Sequence, residues 1–357
     1  MSKKIRIKDI AELAGVSVGT VDRVLHNRGS VSCSNKDAIE AALEKMNYRP
    51  NIHVSAISLK KKYVFVLAIP QYSKGQYWET LVEGIQKAIE KYEGLDISIK
   101  YCFYNPFDLY SCRNAFEEVA KLEADAVIIG PTFRDETIYL VNQLSDMNIP
   151  YVLVDSMVDG TLPLAFFVAN PHICGYLMCK LLSCITPPNS DIALFQAMRV
   201  GDESANTTIL RKAGFLAYHS EHGLTNKLYK VPYSAIDTDL NDELIGDFFE
   251  KNPSVRGAVV LNSRGNIIAD FFKKKNIKGV KLICIDMTET NIAALKEGHI
   301  DFIMGQRPEQ QGFMAMEALF QYLIYGKKAK FENHMPIDII SKENVDLFAN
   351  FNNMIFL

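Results

Sequence analysis

The stretch DIAELAGVSVGTVDRVLHN, from Asp9 to Asn27, predicts two short amphipathic helices separated by a single glycine. The apolar residues recur at helical spacing on one face of each predicted helix: Ile10, Leu13 and Ala14, then Val21, Val24 and Leu25. Gly15 falls between the helices, where the chain must turn through a conformation that suits a residue without Cβ. Ser17 then stands where its side chain can cap the second helix.

A third helix is predicted after Ser32, the expected N-cap residue. Its apolar residues recur at helical spacing: Ile39, Ala42, Leu43 and Met46. Pro50 ends this helix. Three short helices within residues 1–50 predict a helix-turn-helix domain that is attached to a much larger body.

Charge is distributed unevenly along the 357 residues. Residues 1–62 contain eight lysines and four arginines against three aspartates and three glutamates, a net charge of +6. Since the whole chain carries −3, the remainder carries −9. A basic N-terminal region on an acidic body indicates that this region binds a polyanion. The alternative is a basic terminus that is only solvated.

The composition limits the class of protein. Apolar residues make up 48% and charged residues 23% of the chain, as in ordinary globular proteins. No apolar run reaches the roughly 18 residues that cross a bilayer, and the N-terminus lacks the apolar core of a secretion signal. We therefore expect a cytoplasmic protein without a membrane partner. The seven cysteines show no disulfide or metal-site spacing, so we expect reduced, mostly buried thiols and no cofactor.

From Tyr63 onward, apolar β-rich runs alternate with segments of helical period. The strands predicted in this way are VFVLAI, ISIKYCFY, AVIIG, YVLVD, AFFVA, IALFQ, GAVVL, KLICID and FIMGQ. Near-continuous apolar strands between helices predict parallel sheets with both faces covered. About 290 residues exceed one comfortable core, which predicts two doubly wound α/β lobes. Neither a dinucleotide fingerprint nor a P-loop is present, so nucleotide sites lack support.

In parallel sheets, ligands bind beyond the carboxyl ends of the strands, a regularity that we call the strand-end rule. Polar or aromatic residues follow most predicted strands or lie near them: Tyr77, Trp78, Thr132, Asp155, Arg211, Asn262, Asp286 and Gln306. Carboxylates and amides can bind pairs of hydroxyl groups, arginine donates to ring or hydroxyl oxygens, and aromatic faces pack on sugar rings. These residues predict a site for a polyhydroxylated ligand. The alternative for Tyr77 and Trp78 is that one of them packs into the core.

The N-terminal region resembles the LacI/GalR family of regulators, named after the lac repressor. The resemblance rests on IKDIAELAGVSVGTVDRVLHNRGSVS (residues 7–32) and AIEAALEKMNYRPN (residues 38–51). It implies that the second helix enters the major groove of double-stranded operator DNA. Base contacts are then implied for Val18, Gly19 and Arg23, and phosphate contacts for Ser17, Thr20 and Asn27. The alternative for Arg23 is a phosphate contact or a solvated side chain.

The segment after this region resembles the family's hinge helix, which inserts an apolar side chain into the minor groove. Asn51 matches the family pattern, whereas Val54 replaces an alanine and Ile57 replaces a leucine. Since β-branched residues lower helix propensity, a plain flexible linker is the alternative. We assign residues 1–50 to the helix-turn-helix domain, 51–62 to the hinge and 63–357 to the effector domain.

The resemblance extends to the body and to the related periplasmic sugar-binding proteins. It implies ligand-binding roles for Asp155, Arg211, Asn262, Asp286 and Gln306. One departure is Asn170-Pro171, where the family often has a carboxylate.

Together these features predict a sugar-controlled transcriptional regulator, most plausibly a repressor, that acts as a homodimer or tetramer and is not an enzyme. Whether the ligand acts as inducer or corepressor stays open. The alternatives are a solute-binding protein without a regulatory role and a sugar-acting enzyme.

Overall fold

The computed structural model describes residues 7–25, 31–46, 62–92, 94–202 and 205–348. The chain divides into two compact units at Lys62 and Tyr63. The N-terminal unit contains α1 (Ile7–Ala14), α2 (Val18–Leu25) and α3 (Cys33–Lys45). Its small core consists of Ile10, Ala11, Val21, Ile39 and Ala42. The three helices predicted from apolar spacing are confirmed, although Leu13, which the spacing placed on the apolar face of the first helix, is exposed.

The second unit begins with an α/β lobe whose six-stranded sheet has the order β11-β5-β4-β3-β1-β2. The strands are β1 (Lys62–Pro70), β2 (Asp96–Tyr104), β3 (Ala126–Ile129), β4 (Tyr151–Val154), β5 (Ala165–Ala169) and β11 (Glu332–Met335). The helices are α4 (Tyr77–Glu90), α5 (Leu109–Val119), α6 (Arg134–Asp146) and α12 (Pro308–Tyr325). We call this lobe the N-lobe. Its central strands are parallel, with Leu67 opposite Ile128 and Ile128 opposite Val152.

The other lobe, the C-lobe, repeats this arrangement with the strand order β12-β10-β9-β8-β6-β7. The strands are β6 (Asp191–Ala197), β7 (Leu228–Tyr233), β8 (Val255–Val260), β9 (Lys281–Ile285), β10 (Phe302–Gly305) and β12 (Asp338–Ile340). The helices are α7 (Pro171–Ile185), α8 (Asn206–Glu221), α9 (Thr238–Lys251), α10 (Gly265–Lys274) and α11 (Glu289–Glu297). All pairings are parallel except that of β12 with β10.

Within the described residues, the chain passes between the lobes three times: from β5 to α7, from β10 to α12 and from β11 to β12. The predicted architecture of two parallel-sheet lobes is confirmed. Since the carboxyl ends of both central sheets meet where the chain crosses, strand-end residues of the two lobes can face one cleft.

In each lobe, two helices approach closely at a reciprocal pair of glycines. In the C-lobe, a Cβ on Gly175 would overlap the carbonyl of Arg211, and one on Gly214 would overlap the carbonyl of His172. Gly84 and Gly312 form the equivalent pair between α4 and α12 of the N-lobe. The glycine three residues after Arg211 therefore fixes the position of the helix that carries this arginine.

All nine predicted strands are present, but β7, β11 and β12 were not predicted. β7 lies at the edge of its sheet and contains Pro232, which an edge strand tolerates because one side of its backbone has no partner strand. β11 and β12 have four and three residues and are largely polar or mixed in character. Such short segments lack the apolar run from which the other strands were predicted.

Candidate functional site

The exposed surface of α2 contains most of the residues predicted to contact DNA. Ser17, Val18, Gly19 and Arg23 are exposed, and Thr20 is half-buried. Gly15 adopts a φ of 65°, so the tight turn before α2 uses a backbone conformation that glycine permits at little cost. The side chain of Ser17 accepts a hydrogen bond from the Thr20 amide at 3.1 Å, which confirms the predicted cap. Asn27, Asn51, Ile57 and nearly all of the hinge lie outside the described residues.

A cavity of about 90 Å³ lies between the two lobes of the second unit. Seven of the eight predicted ligand-binding residues line it: Tyr77, Trp78, Thr132, Asp155, Arg211, Asn262 and Asp286. Four of them follow strands β3, β4, β8 and β9, and the other three lie on helices α4 and α8, so both lobes contribute to one cleft. Gln306 does not line this cavity, but it contacts two residues that do.

Asp155 follows β4 of the N-lobe, and Asp286 follows β9 of the C-lobe. Both adopt left-handed backbone conformations, with φ of 66° and 71°, which Asp and Asn tolerate better than most residues. Burial raises the pKa of Asp155, while Arg211 and Tyr77 oppose the shift. Burial also raises the pKa of Asp286 to about 7, against the opposing effects of Arg211 and Gln306. The two carboxyl groups therefore share one buried cation.

Arg211 is 3% exposed and belongs to a polar network behind the cavity. Its Nη2 donates to Oε1 of Gln306 at 2.8 Å, and its Nη1 donates to the carbonyl of Leu261 at 3.1 Å. The amide of Gln306 in turn donates to Asp286 at 2.7 Å. Gln306 therefore orients the arginine and the carboxylate for a ligand.

Three polar atoms around the cavity lack a hydrogen bond of good geometry: Tyr77 Oη, Thr208 Oγ1 and Arg211 Nε. Among the described residues, one other buried side-chain atom is in this condition, Gln143 Oε1. Tyr77 Oη nevertheless lies close enough to Asp155 to lower the pKa of that carboxyl group. A buried polar atom without a partner costs about 1–3 kcal/mol. The concentration of three such atoms at one cavity makes it a place where water or a polar ligand can complete their hydrogen bonding.

The aromatic pair at the start of α4 has two different environments. Tyr77 is buried, and burial together with Asp155 raises the pKa of its hydroxyl. Trp78 is half-buried and packs against Gly130 at the end of β3, where a Cβ would overlap the indole ring. The two rings meet edge to face, with centroids 5.2 Å apart. Trp78 therefore provides an aromatic wall, while Tyr77 presents a polar group.

The lobes are closed over this cavity by hydrogen bonds across its mouth. The amide of Asn206 donates to the Thr132 carbonyl at 3.0 Å, and its side chain donates to the Met157 carbonyl at 2.7 Å. The amide of Val200 donates to the Phe107 carbonyl at 2.8 Å. Opening the cleft must break these bonds, so a ligand between the lobes affects how closed they are.

Sequence reasoning missed several polar residues that line the cavity or its mouth, among them Gln76, Arg199, Asn206, Thr208 and Arg264. Arg199 follows β6 by two residues and Arg264 follows β8 by four, so the strand-end rule could have found both. Asn206 opens α8, and no sequence signal indicates that its partners belong to the other lobe.

The described residues contain no cluster of side chains that could hold a metal ion. The described helices are also too short or too polar for any of them to cross a membrane.

Two family models match the chain. The model for a periplasmic binding protein domain matches residues 65–328, and the model for bacterial regulatory proteins of the lacI family matches residues 6–51. A crystal structure described as a LacI transcriptional regulator from Bacteroides fragilis is 31% identical, with a TM-score of 0.76. The match covers 80% of this chain and 99% of that one.

Two curated relatives show more distant similarity. The HTH-type transcriptional regulator DegA of Bacillus subtilis is 24% identical over 70% of this chain and 71% of its own length. The sucrose operon repressor of Staphylococcus xylosus is 24% identical over 61% of this chain and 63% of its own length.

Proposed function

The chain belongs to the LacI family of bacterial regulatory proteins, and we propose that it represses carbohydrate-use genes under the control of a sugar bound between its lobes. The sucrose operon repressor among its relatives favours a carbohydrate signal. This function places the protein in the cytoplasm with the chromosome.

The observation on which the ligand assignment depends is the set of unpartnered polar atoms around the closed cavity. Tyr77, Thr208 and Arg211 each present one such atom, and Asp155 and Asp286 add two carboxyl groups. Hydroxyl groups can donate to the carboxylates and accept from Arg211, so a polyhydroxylated ligand complements this set. The ring of Trp78 adds the apolar face on which a sugar ring packs.

The DNA assignment rests on the exposed face of α2. Val18 and Gly19 at its start, and Arg23 one turn later, would contact base edges, with Arg23 directed at a guanine. Ser17, Thr20 and Asn27 would contact phosphates, and Asn51 and Ile57 would act in the hinge at the minor groove. The net charge of +6 over residues 1–62 supports attraction to the duplex.

A second copy of the chain would present a second DNA-binding unit to a near-palindromic operator. An exposed aromatic patch on edge strand β2 supports this pairing. Tyr101 is 40% and Phe103 is 45% exposed, and their rings stack with centroids 5.4 Å apart. Such patches commonly mark protein interfaces. Analytical ultracentrifugation of Phe103→Lys and of the unchanged protein tests this dimer contact. The variant is expected to sediment as a monomer, because a charged side chain replaces an aromatic one in the patch.

Ligand control requires different affinities of the ligand for the DNA-bound and free forms. A sugar that completes the hydrogen bonding of the closed cleft stabilises closure. We assign closure to the form with low operator affinity, so the sugar acts as an inducer. A sugar that instead tightened operator binding would identify it as a corepressor and contradict this assignment.

The test measures fluorescence anisotropy of labelled DNA fragments from around the gene at about 100 mM salt, with and without monosaccharides. We expect one fragment to bind preferentially and a sugar to weaken its binding at least tenfold. Arg211→Gln should preserve DNA affinity and lose the response, whereas the surface variant Arg256→Gln should retain both. No preference for any fragment would contradict the regulator, and turnover of a sugar would favour an enzyme.

A further inference from the structure

Two arginines besides Arg211 line the cavity between the lobes. Arg199 follows β6, and Arg264 lies before α10. Both are half-buried, and burial lowers the pKa of each guanidinium, which reflects the cost of removing its charge from water. The proposed sugar site therefore contains three cations.

Arg211 is balanced by the two carboxyl groups already described, Asp155 and Asp286, because it acts on both. With the pKa of Asp286 at about 7, one of these carboxyl groups is close to half-protonated at neutral pH. Neither of these two carboxyl groups acts on the charge of Arg199 or Arg264.

Arg199 is held mainly by backbone carbonyls. Its Nε donates to Pro106 at 3.2 Å and its Nη1 donates to Ala197 at 3.3 Å. The guanidinium also lies over the ring of Phe107, with 5.4 Å to the centroid. Among the described residues, Asp202 is the one carboxylate that acts on it. Its remaining nitrogen, Nη2, is free of protein hydrogen bonds to described residues.

Arg264 has still weaker contacts. Its Nη2 donates to Oε1 of Gln76 at 3.5 Å, at the limit of hydrogen bonding. No carboxylate of the described part of the chain acts on its charge, and Tyr233 is the one titratable group that does. Tyr233 also interacts with Arg199, so the two guanidinium groups approach the same side of the cavity.

We propose that the ligand of this cleft is a monosaccharide acid whose anionic group lies between Arg199 and Arg264, while its hydroxyl groups face Asp155, Arg211 and Asp286. This inference rests on the proposed function and specifies the class of sugar. Planar guanidinium groups are well suited to bind a carboxylate. Among the described residues, no carboxylate acts on Arg264, and Asp202 is the one that acts on Arg199.

The size of the cavity favours a carboxylate over a phosphate. Oxidation of a sugar's hydroxymethyl or aldehyde group to a carboxylate adds one oxygen atom, so the acid is hardly larger than its parent sugar in a cavity of about 90 Å³. A hexose phosphate adds a bulky tetrahedral group, and a disaccharide doubles the ring count. We therefore commit to a uronic or aldonic acid.

The chain provides its own probe, because its single tryptophan, Trp78, lines the cavity. Titration of the full-length protein with galacturonate, glucuronate and gluconate should change Trp78 fluorescence. Galactose and glucose should bind at least tenfold more weakly, because each lost charge-assisted hydrogen bond costs roughly ten- to hundredfold in affinity. Hexose phosphates keep an anionic group, but they should also bind more weakly because a phosphate is bulkier than a carboxylate. This comparison needs no variant.

Arg199→Met and Arg264→Met then test the two residues. Each should reduce affinity for the sugar acid about tenfold or more and leave affinity for the neutral parent sugar within about threefold. Arg256→Met, an exposed arginine on β8, is the matched control and should change neither affinity.

The outcomes separate this inference from the proposed function. Neutral sugars that bind as well as the acids and release operator DNA would overturn the sugar-acid assignment and leave the regulator intact. Stronger binding of hexose phosphates than of sugar acids would show that the two arginines bind a phosphate group, and the proposal of a carboxylate ligand would be wrong. If no sugar of any class changes Trp78 fluorescence or operator binding, both the acid and the sugar-controlled function are wrong.

Discussion

Asp155 and Asp286 occupy equivalent positions in the two lobes and interact with the same arginine. Each directly follows a buried central strand, with φ of 66° and 71°. Arg211 lowers the pKa of both carboxyl groups, although burial has the larger effect and raises them. Closure of the lobes thus brings Asp155 of the N-lobe toward the cation that Asp286 already faces within the C-lobe, and the electrostatic balance of the cleft depends on how many of the two carboxyl groups are ionised.

This balance predicts a pH-dependent stability that Asp286→Asn removes. The pKa of Asp286 is about 7 in the fold and 3.8 as its ordinary value, so between these pH values the folded state holds a proton that the unfolded state has lost. Its contribution therefore becomes less favourable as pH rises through this window. Asn suits the left-handed backbone and can still accept from Gln306.

Urea unfolding of both proteins at pH 5 and pH 8 measures the effect. The stability of Asp286→Asn relative to the unchanged protein should rise by roughly 2–3 kcal/mol between these pH values. Taking the difference cancels the titration of other groups. An equal pH dependence in both proteins would place the Asp286 pKa near its ordinary value.

Thr208→Val should change stability and ligand affinity in opposite directions. The Thr208 hydroxyl is buried at the cavity without a partner, so its replacement by a methyl group of similar volume should stabilise the ligand-free protein by about 1 kcal/mol. The same change should weaken sugar binding several-fold, because the ligand loses a hydrogen bond. Thermal unfolding and Trp78 titration measure the two effects.

Thr137→Val is the matched control, since the hydroxyl of this buried threonine already donates to the Phe133 carbonyl at 2.7 Å. Its replacement should destabilise the protein by about 1 kcal/mol without affecting ligand affinity. Destabilisation by both variants would mean that Thr208 has a partner in solution.

The close packing of α7 and α8 predicts that Gly214→Ala is damaging. The new methyl group would overlap the carbonyl of His172, so the helices must move apart at a cost of about 1–3 kcal/mol. Because Arg211 lies one turn away on the same helix, ligand affinity should fall as well. Gly246→Ala, in the interior of α9 with open space around it, should be neutral or stabilising by up to about 1 kcal/mol. Equal effects of the two variants on stability would show that α7 and α8 can move apart at little cost.

The fold was largely predictable because its strongest signals are local. Apolar periodicity indicated the three N-terminal helices and nine strands, and the strand-end rule indicated four of the seven predicted residues that line the cavity. Asn206 was not predictable, since its hydrogen bonds to Thr132 and Met157 exist only when the lobes close. Arg199 and Arg264 lie two and four residues beyond their strands, so the strand-end rule could have indicated both. The direction of their side chains, by contrast, depends on packing that the sequence does not display.

Arg23 is the residue whose replacement most directly tests sequence recognition by α2. If it contacts a guanine edge, Arg23→Ala should cost about 1–3 kcal/mol on the operator and much less on unrelated DNA, so discrimination falls. If it contacts phosphate instead, the affinities for the operator and for unrelated DNA should fall alike. The slope of the logarithm of affinity against the logarithm of salt concentration should then become shallower by about one. Lys36→Ala on exposed α3, where Lys36 pairs with Glu40 at 3.9 Å, is the control and should preserve discrimination. Competition titrations at several salt concentrations separate these two cases. If Arg23→Ala still discriminates between operator and unrelated DNA as well as the unchanged protein does, Arg23 makes no base contact.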